Sequence, residues 1–330
     1  MPVRDAQIGS VNTARSDQKL TTISYMNTPK RHLLMISHGS DVYAMEAAYA
    51  ILCARANGGF LGPIHVVTDH ADRLRQLTGD APGVHYLPLS EDLKQSFIGT
   101  SGYVHRLKPQ AIAWATRQIA AIDDALVFLD TDTAILSDIQ PWFDHISQGH
   151  IVLNECEGPA DAIANATHSQ KRAGEFFKRG TLHVHGEDQP LHPETPLWNS
   201  GVIGFKAQQV GWFDETTAWI DAIWPLLPIH TVEQLAFSAV LHAHRVPLVD
   251  SGETVFHYHW FKEFRTDLAA FFEHLGTHAR YEERIALSHG MRPDLRIAPK
   301  KDFLNKPKWL RSILRRIGRN WQPMPYPWQA

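Results

Sequence analysis

The sequence predicts an α/β protein with a mostly parallel central sheet flanked by helices, and three features of the chain point to this class. Short runs of apolar and β-branched residues alternate with segments whose apolar residues recur at helical spacing. One run, residues 125–129, is apolar throughout, which is typical of a strand buried on both faces of a parallel sheet. Asp130 and Asp132 follow this run, at the end of the strand where open α/β sheets bind ligands.

The first half of the chain alternates strands with helices. Each predicted strand is a short apolar run that ends in polar residues, and each predicted helix carries apolar residues at helical spacing. In chain order we predict a strand at 32–37, a helix at 43–55, a strand at 64–69, a helix at 71–77, a strand at 84–89, a helix at 108–122 and a strand at 126–129. This alternation favours parallel strands joined by right-handed crossovers.

The second half of the chain is less regular. Residues 155–196 are rich in histidine, glycine, proline and charge without a strong apolar period, which favours a substrate-facing region over a core segment. Around this region we predict strands at 150–153, 198–205, 246–249 and 255–261, and helices at 213–226 and 232–242.

The composition is that of an ordinary soluble globular protein, because 44% of the 330 residues are hydrophobic and 20% are charged. The formal net charge of -3 gives no global case for nucleic-acid binding. No window has the length and apolar character of a signal peptide or membrane span, and Cys53 and Cys156 show no metal-type spacing. We therefore expect a cytoplasmic protein with two buried thiols.

Three regions are expected along the chain. Residues 1–29 are polar and without period, and are predicted to be disordered. Residues 30–265 are predicted to form one large α/β domain, and residues 266–330 a helical extension. The extension includes a basic amphipathic stretch, residues 306–319, for which two interpretations stay open. It either touches an anionic membrane surface peripherally or packs on the domain with its cations in solvent.

The two aspartates after the central strand carry the functional hypotheses. Residues two apart on a strand face the same side, so the carboxylates of Asp130 and Asp132 can share one divalent cation. Three classes fit: a nucleotide-sugar transferase whose cation bridges a diphosphate, a phosphatase with an aspartate nucleophile, and a non-catalytic metal or carbohydrate binder. The phosphatase class places its aspartate strand first in the fold, whereas three strands precede it here, so this hypothesis is the least favoured.

Several segments resemble, in the same order, the glycosyltransferases of the GT-A fold. The likeness is strongest to the retaining group called family eight, which includes bacterial galactosyl- and glucosyltransferases and glycogenin. It spans residues 31–265 and rests on Asp41-Val42-Tyr43, Tyr103-Val104-His105-Arg106-Leu107, residues 125–142, Trp198-Asn199-Ser200-Gly201-Val202, Glu233-Gln234 and His257-Tyr258. The family's histidine motif continues to a glycine and Lys-Pro-Trp, whereas this chain lacks that glycine and its lysine, Lys262, comes one place early.

The resemblance implies a metal site and a nucleotide site. Asp130 and Asp132 would bind Mn²⁺ or Mg²⁺, with Asp130 also near the ribose of the donor. His257 would complete the protein ligands through a neutral imidazole nitrogen. Asp41 and Tyr43 would contact the base and the ribose.

The resemblance also implies residues that hold the sugar and the diphosphate. Arg106 would hold the donor through its forked guanidinium, and Lys262 would neutralise the β-phosphate. Asn199 and Glu233 would hydrogen-bond sugar hydroxyls, and Gln234 would lie beneath the anomeric carbon.

The function that the resemblance implies is metal-dependent transfer of a hexose from a UDP-sugar to a hydroxyl acceptor, which is a glycan or a lipid-linked saccharide. A retaining reaction is implied, but an inverting displacement with Glu233 as general base stays open. A nucleotide- or carbohydrate-binding module without turnover is the rival from another class.

Overall fold

The computed structural model describes residues 29–161, 170–322, 324–326 and 328. The predicted α/β class is confirmed, because helices flank a central sheet of seven strands that is mostly parallel. The segment predicted to be disordered, residues 1–29, lies outside the described residues except for its last member. In the described part of the chain, no helix combines the length and the apolar character needed to cross a membrane.

The strands are numbered in chain order. They are β1 (Arg31–Ser37), β2 (Ile64–Thr68), β3 (Val84–Pro88), β4 (Ala125–Leu129), β5 (Thr133–Ile135), β6 (Ile151–Leu153), β7 (Cys156–Pro159), β8 (Thr181–Val184), β9 (Glu187–Pro190), β10 (Pro196–Trp198), β11 (Val202–Lys206), β12 (Leu248–Asp250) and β13 (Val255–His257).

The helices are numbered in the same way. They are α1 (Asp41–Ala56), α2 (Ala71–Thr78), α3 (Glu91–Ile98), α4 (Leu107–Ile119), α5 (Gln140–Ser147), α6 (Gln170–Phe177), α7 (Gly211–Ile223), α8 (Val232–His244), α9 (Phe264–Leu275), α10 (Tyr281–Ser288), α11 (Pro293–Arg296), α12 (Ala298–Leu304) and α13 (Lys308–Arg316).

The main sheet has the order β12-β6-β11-β4-β1-β2-β3, and β11 is its antiparallel member. The fully buried strand β4 lies in the middle, as the unbroken apolar run predicts, with β1 parallel to it on one side. On the other side Val202 of β11 pairs with Leu129 of β4. Because β11 runs the opposite way, the residues before β11 lie beside the aspartates that follow β4.

A small two-stranded sheet completes the frame around those aspartates. Strands β5 and β13 pair antiparallel, with Thr133 opposite His257. The backbone N–H of Tyr258 donates to the carbonyl oxygen of Asp132 at 3.0 Å. A residue far along the chain is thereby fixed next to the turn that follows β4.

Apolar side chains cover both faces of the main sheet. On one face α1 and α9 bury residues such as Tyr49, Phe264 and Phe271 against the sheet. On the other face α4 and α7 bury residues such as Ile112 and Phe213. The burial of these apolar side chains on both faces stabilises the sheet that carries the candidate site.

The second half of the chain is more structured than its sequence predicts. Residues 155–196 contain β7, α6, the hairpin β8–β9 and the start of β10 rather than irregular chain alone. In the first half of the chain, helices α3 and α5 were not predicted. The single strand expected at 198–205 is two strands, because the turn at 199–201 separates β10 from β11. These strands are only three to five residues long, too short to show an apolar period.

The two cysteines have different surroundings. Cys53 is buried in α1 as predicted, whereas the prediction of a second buried thiol is wrong, because Cys156 is exposed. Cys156 lies on β7, which pairs with β10 outside the main sheet and is mostly exposed.

Gly204 tests the packing of the sheet next to β4. A Cβ atom at this position would lie 2.9 Å from Cδ1 of Ile146 and 3.0 Å from Cβ of Val152, both buried. We expect Gly204→Val to lower the free energy of unfolding by about 1–3 kcal/mol through overpacking, measured by chemical denaturation. Gly211→Val is the matched control, because a Cβ at Gly211 meets nothing within 4 Å. Equal stability of the two variants would contradict this account of the sheet.

Candidate metal and donor site

Three side chains that lie far apart in the sequence meet beyond the end of β4. One oxygen each of Asp130 and Asp132 and one ring nitrogen of His257 all lie within 4.8 Å of one another. Two carboxylates and an imidazole form a ligand set that suits a divalent cation such as Mn²⁺ or Mg²⁺. The structure therefore brings together the three residues that the sequence assigned to a metal.

The orientation of the His257 ring is fixed by Asn199. The Nδ1 atom of His257 lies 3.0 Å from Oδ1 of Asn199, which also accepts a hydrogen bond from the backbone N–H of Gly201 at 2.9 Å. Nδ2 of Asn199 donates to Glu157 at 2.8 Å, so the amide can point only one way. Nδ1 of the ring must then carry a proton.

This tautomer prepares the other ring nitrogen for a cation. Nε2 of His257 lies 3.0 Å from Oδ1 of Asp132. The proton that hydrogen-bonds these two atoms is released when a cation binds, and Nε2 of the neutral ring then presents a lone pair. A lone pair beside a carboxylate oxygen is an arrangement that a bound cation stabilises. Hydrogen bonding through the second ring nitrogen is the usual way in which proteins orient a histidine ligand.

Gly201 makes room for this ring. A Cβ atom at Gly201 would lie 2.5 Å from Nδ1 and 2.7 Å from Cε1 of His257, distances that real Cβ atoms do not reach. The glycine in the segment from Trp198 to Val202 is thus explained by a close approach of a side chain to the backbone.

Each aspartate also pairs with its own lysine. Nζ of Lys262 lies 2.9 Å from Oδ2 of Asp132, and Nζ of Lys108 lies 2.8 Å from Oδ2 of Asp130. Burial alone would raise the pKa of Asp132, but the hydrogen bond from His257 and the charge of Lys262 outweigh it and hold that pKa well below its usual range. Asp132 is therefore ionised at neutral pH.

Lys108 is a residue of the site that the sequence analysis missed. Its Nζ donates to the carbonyl and the hydroxyl oxygen of Ser200 at 2.9 and 3.0 Å in addition to Asp130. Burial alone would lower the pKa of Lys108, but Asp130 and the nearby Glu233 raise it, so the ammonium is retained. In the sequence Lys108 looks like an ordinary surface cation of α4. The sequence feature that could have marked Lys108 as a site residue is its position directly after Arg106-Leu107, a segment that resembles the family.

Glu233 joins the same network from the start of α8. Its Oε2 accepts a hydrogen bond from the hydroxyl of Ser200 at 2.8 Å and lies 3.9 Å from Nζ of Lys108. Its backbone N–H donates to the hydroxyl oxygen of Tyr103 at 3.0 Å. Only 6% of Glu233 is exposed, and burial raises the pKa of its carboxyl group. Gln234, the next residue, is half-buried.

Two other predicted residues have partners outside this cluster. Asp41, at the start of α1, pairs with Arg73, and the hydrogen bond from Arg73 lowers the pKa of Asp41. The guanidinium of Arg106 donates to both carboxylate oxygens of Asp221 on α7, at 2.7 and 2.9 Å. The donor-binding roles of Asp41 and Arg106 stay predictions.

Tyr43 reaches the site region indirectly. It is 41% exposed, and the guanidinium of Arg265 lies 5.4 Å from the centre of its ring. Arg265, which comes three residues after Lys262 in the chain, also forms an ion pair with Glu46 of α1 at 2.8 Å. Tyr43 is therefore a partly exposed aromatic side chain that contacts the segment just after Lys262.

Comparison with known proteins gives a likeness of structure and none of sequence. No protein-family model and no curated protein matches the chain. The galactosyltransferase LgtC, solved with donor and acceptor sugar analogues, matches with a TM-score of 0.42 and 12% identity, over 62% of this chain and 69% of that one. Mouse xyloside xylosyltransferase 1 matches with a TM-score of 0.42 and 14% identity, over 67% of this chain and 85% of that one.

A third solved structure belongs to the same class. The glycosyltransferase GlyE of Streptococcus pneumoniae matches with a TM-score of 0.39 and 13% identity, over 75% of this chain and 51% of that one. All three proteins are glycosyltransferases, the class whose GT-A motifs the sequence resembles. At these identities and TM-scores the likeness carries no conclusion about activity, which has to be argued from the site.

Gly201→Ala tests how the candidate metal ligands are positioned. The added methyl group must push the His257 ring away from Asn199, so we expect the affinity for Mn²⁺ to fall about 10- to 100-fold, measured by titration calorimetry. The melting temperature should change far less, because the turn at 199–201 lies outside the regular strands. Unchanged Mn²⁺ affinity in a folded Gly201→Ala protein would show that His257 is no ligand.

Proposed function

We propose that the chain is a metal-dependent glycosyltransferase that moves a hexose from a UDP-sugar to a hydroxyl group of a glycan or a lipid-linked saccharide. The proposal rests on one observation, the cluster of Asp130, Asp132 and His257 with a lysine on each carboxylate. This site suits a diphosphate better than a neutral sugar alone, because it offers ligands for a divalent cation and ammonium groups, both of which attract phosphate oxygens.

The chain's own residues divide the work in this site. A divalent cation, when bound by Asp130, Asp132 and His257, would offset the charge that grows on the departing UDP. Lys262 has 47% of its side chain exposed and one carboxylate partner, so it can turn from Asp132 to the β-phosphate. Lys108 has three acceptors and 13% exposure, so it stays in place and keeps Asp130 aligned.

The surroundings of Glu233 favour a retaining reaction in this proposal. A general base needs contact with the acceptor hydroxyl, but Glu233 is almost fully buried and already accepts a hydrogen bond from Ser200. In a front-face reaction the departing phosphate oxygen accepts the acceptor's proton, and Glu233 then serves to hold Ser200 and Lys108. Gln234 stays the residue proposed to lie beneath the anomeric carbon.

Asn199 takes a different role from the one the resemblance implies. Both ends of its side-chain amide are engaged, by His257 and Gly201 at the oxygen and by Glu157 at the nitrogen. We therefore assign Asn199 to the positioning of His257 rather than to a sugar hydroxyl. At the other end of the donor, the exposed ring of Tyr43 is the surface proposed for the uracil base.

Asp132→Ala tests the metal-dependent reaction. We expect the variant to lose the stimulation of UDP-sugar hydrolysis by Mn²⁺, because one ligand and the partner of Lys262 are both removed. Asp123→Ala, at an exposed aspartate before β4, is the matched control and should hydrolyse like the natural protein. Mn²⁺-stimulated hydrolysis that survives in a folded Asp132→Ala protein would reject the metal assignment. UDP binding without any metal-stimulated cleavage in the natural protein would favour the binding module.

Lys262→Met separates the two roles of this lysine. The ammonium competes with a metal for Asp132, so its removal should tighten Mn²⁺ binding in the absence of nucleotide. The same change removes a phosphate contact, so UDP should bind about tenfold more weakly in the presence of Mn²⁺. Both affinities are measured by calorimetry, with Lys178→Met at an exposed position as the control. Equal losses of Mn²⁺ and UDP affinity would contradict an exchange of partners by Lys262.

A further inference from the structure

The last helix of the extension does not use all of its apolar residues for packing. Leu310 and Leu314 of α13 are half-buried. A second row, spaced four residues apart, stays in solvent: Trp309 is 65% exposed, Ile313 is 47% exposed and Ile317 is 59% exposed. A terminal helix that merely packed on the domain would not leave such a row uncovered.

The stretch of chain that carries this exposed row is strongly basic. Residues 306–319 include six lysines and arginines and no carboxylate, although the whole chain has a formal net charge of -3. Four of the cations, Lys308, Arg311, Arg315 and Arg316, line one shallow depression on the surface. We call this basic and apolar surface of residues 306–319 the tail face.

The helix before the tail face lies against the loop that carries the metal-site residues. On α12, Nζ of Lys301 lies 5.6 Å from the ring centre of Phe256 and 5.7 Å from that of Trp260. Phe256 is the neighbour of His257, and Trp260, itself 44% exposed, lies two residues before Lys262. The extension is therefore fixed beside the ligand loop rather than on a remote side of the domain.

We propose that the tail face binds the surface of an anionic lipid bilayer. Exposed tryptophan and isoleucine side chains enter the boundary between headgroups and acyl chains, while the cations contact lipid phosphates. A nucleic acid offers the phosphates but no apolar layer for this row. An apolar protein surface offers contacts for the apolar row but no phosphates for the cations. The bilayer matches both features at once.

This docking also defines where the acceptor is found. Because α12 contacts the loop of His257 and Lys262 and precedes the tail face by only a few residues, we infer that a bilayer on the tail face lies on the side of the protein that carries the candidate site. The acceptor is then a membrane-borne saccharide, an inference that rests on the proposed function, whereas the docking itself does not.

Flotation with lipid vesicles tests the proposal on the full chain. We expect the protein to float with vesicles of phosphatidylcholine and phosphatidylglycerol but not with phosphatidylcholine alone, and to bind less at high salt. Trp309→Ser with Ile313→Ser, and separately Lys308→Glu with Arg316→Glu, should each weaken vesicle binding at least about tenfold. Brominated lipids should quench the tryptophan fluorescence of the natural protein more than that of Trp309→Phe, because Trp309 is expected to enter the bilayer.

Matched controls carry the same chemical changes on other surfaces. Leu61→Ser with Ile122→Ser replaces apolar residues that are 90% and 68% exposed, and Lys178→Glu with Arg179→Glu replaces exposed cations, so neither pair should affect flotation. Asp132→Ala should also float normally, which separates the docking from the metal site. Tail variants should keep transferase activity on a water-soluble acceptor.

Three results would overturn the docking. The first is binding that does not depend on phosphatidylglycerol, or that both tail pairs retain. The second is a dimer in light scattering that the tail variants dissociate, which would make a second copy of the chain the partner. The third is retention on DNA, lost in the tail variants, without any binding to vesicles.

Discussion

The antiparallel pairing of β11 with β4 is the constraint on which the candidate site depends. It places Val202 opposite Leu129, so the chain before β11 passes beside the aspartates that follow β4. The backbone N–H of Asp130 then donates to the carbonyl oxygen of Gly201 at 2.9 Å. A parallel strand in this position would bring its other end here, and Asn199 would not reach the ring of His257. Strand direction thus decides whether His257, the third residue proposed to bind the metal, is oriented.

A second constraint is the balance of charge around the two aspartates. Like charges this close repel each other, yet each carboxylate has an ammonium partner within hydrogen-bond distance. The two lysines differ in freedom, because Lys108 is held by Ser200 as well, whereas Lys262 is half exposed. One ion pair is therefore part of the framework, and the other can be exchanged for a ligand at little cost in packing.

The sequence predicted the parts of the site that depend on local pattern. Asp130 and Asp132 were evident because a fully buried strand has an unbroken apolar run and a polar end. His257 was found through the resemblance and not through its spacing, since it is fixed by pairing of β13 with β5. Lys108 was missed because its environment is made by Ser200 and Glu233, which are distant in the sequence. Three-dimensional neighbours of this kind leave no periodic signal in a single chain.

The loop after His257 shows why the predicted strand at 255–261 is wrong beyond residue 257. Tyr258, Phe261 and Phe264 are at most 1% exposed and lie three residues apart, which is a spacing of turns and not of a strand. The backbone N–H of Phe261 donates to Tyr258, and that of Phe264 donates to Phe261. The residues between these anchors, among them Trp260 and Lys262, are thereby directed outward. Core packing of the aromatic side chains, more than local strand preference, therefore sets where the lysine meets Asp132.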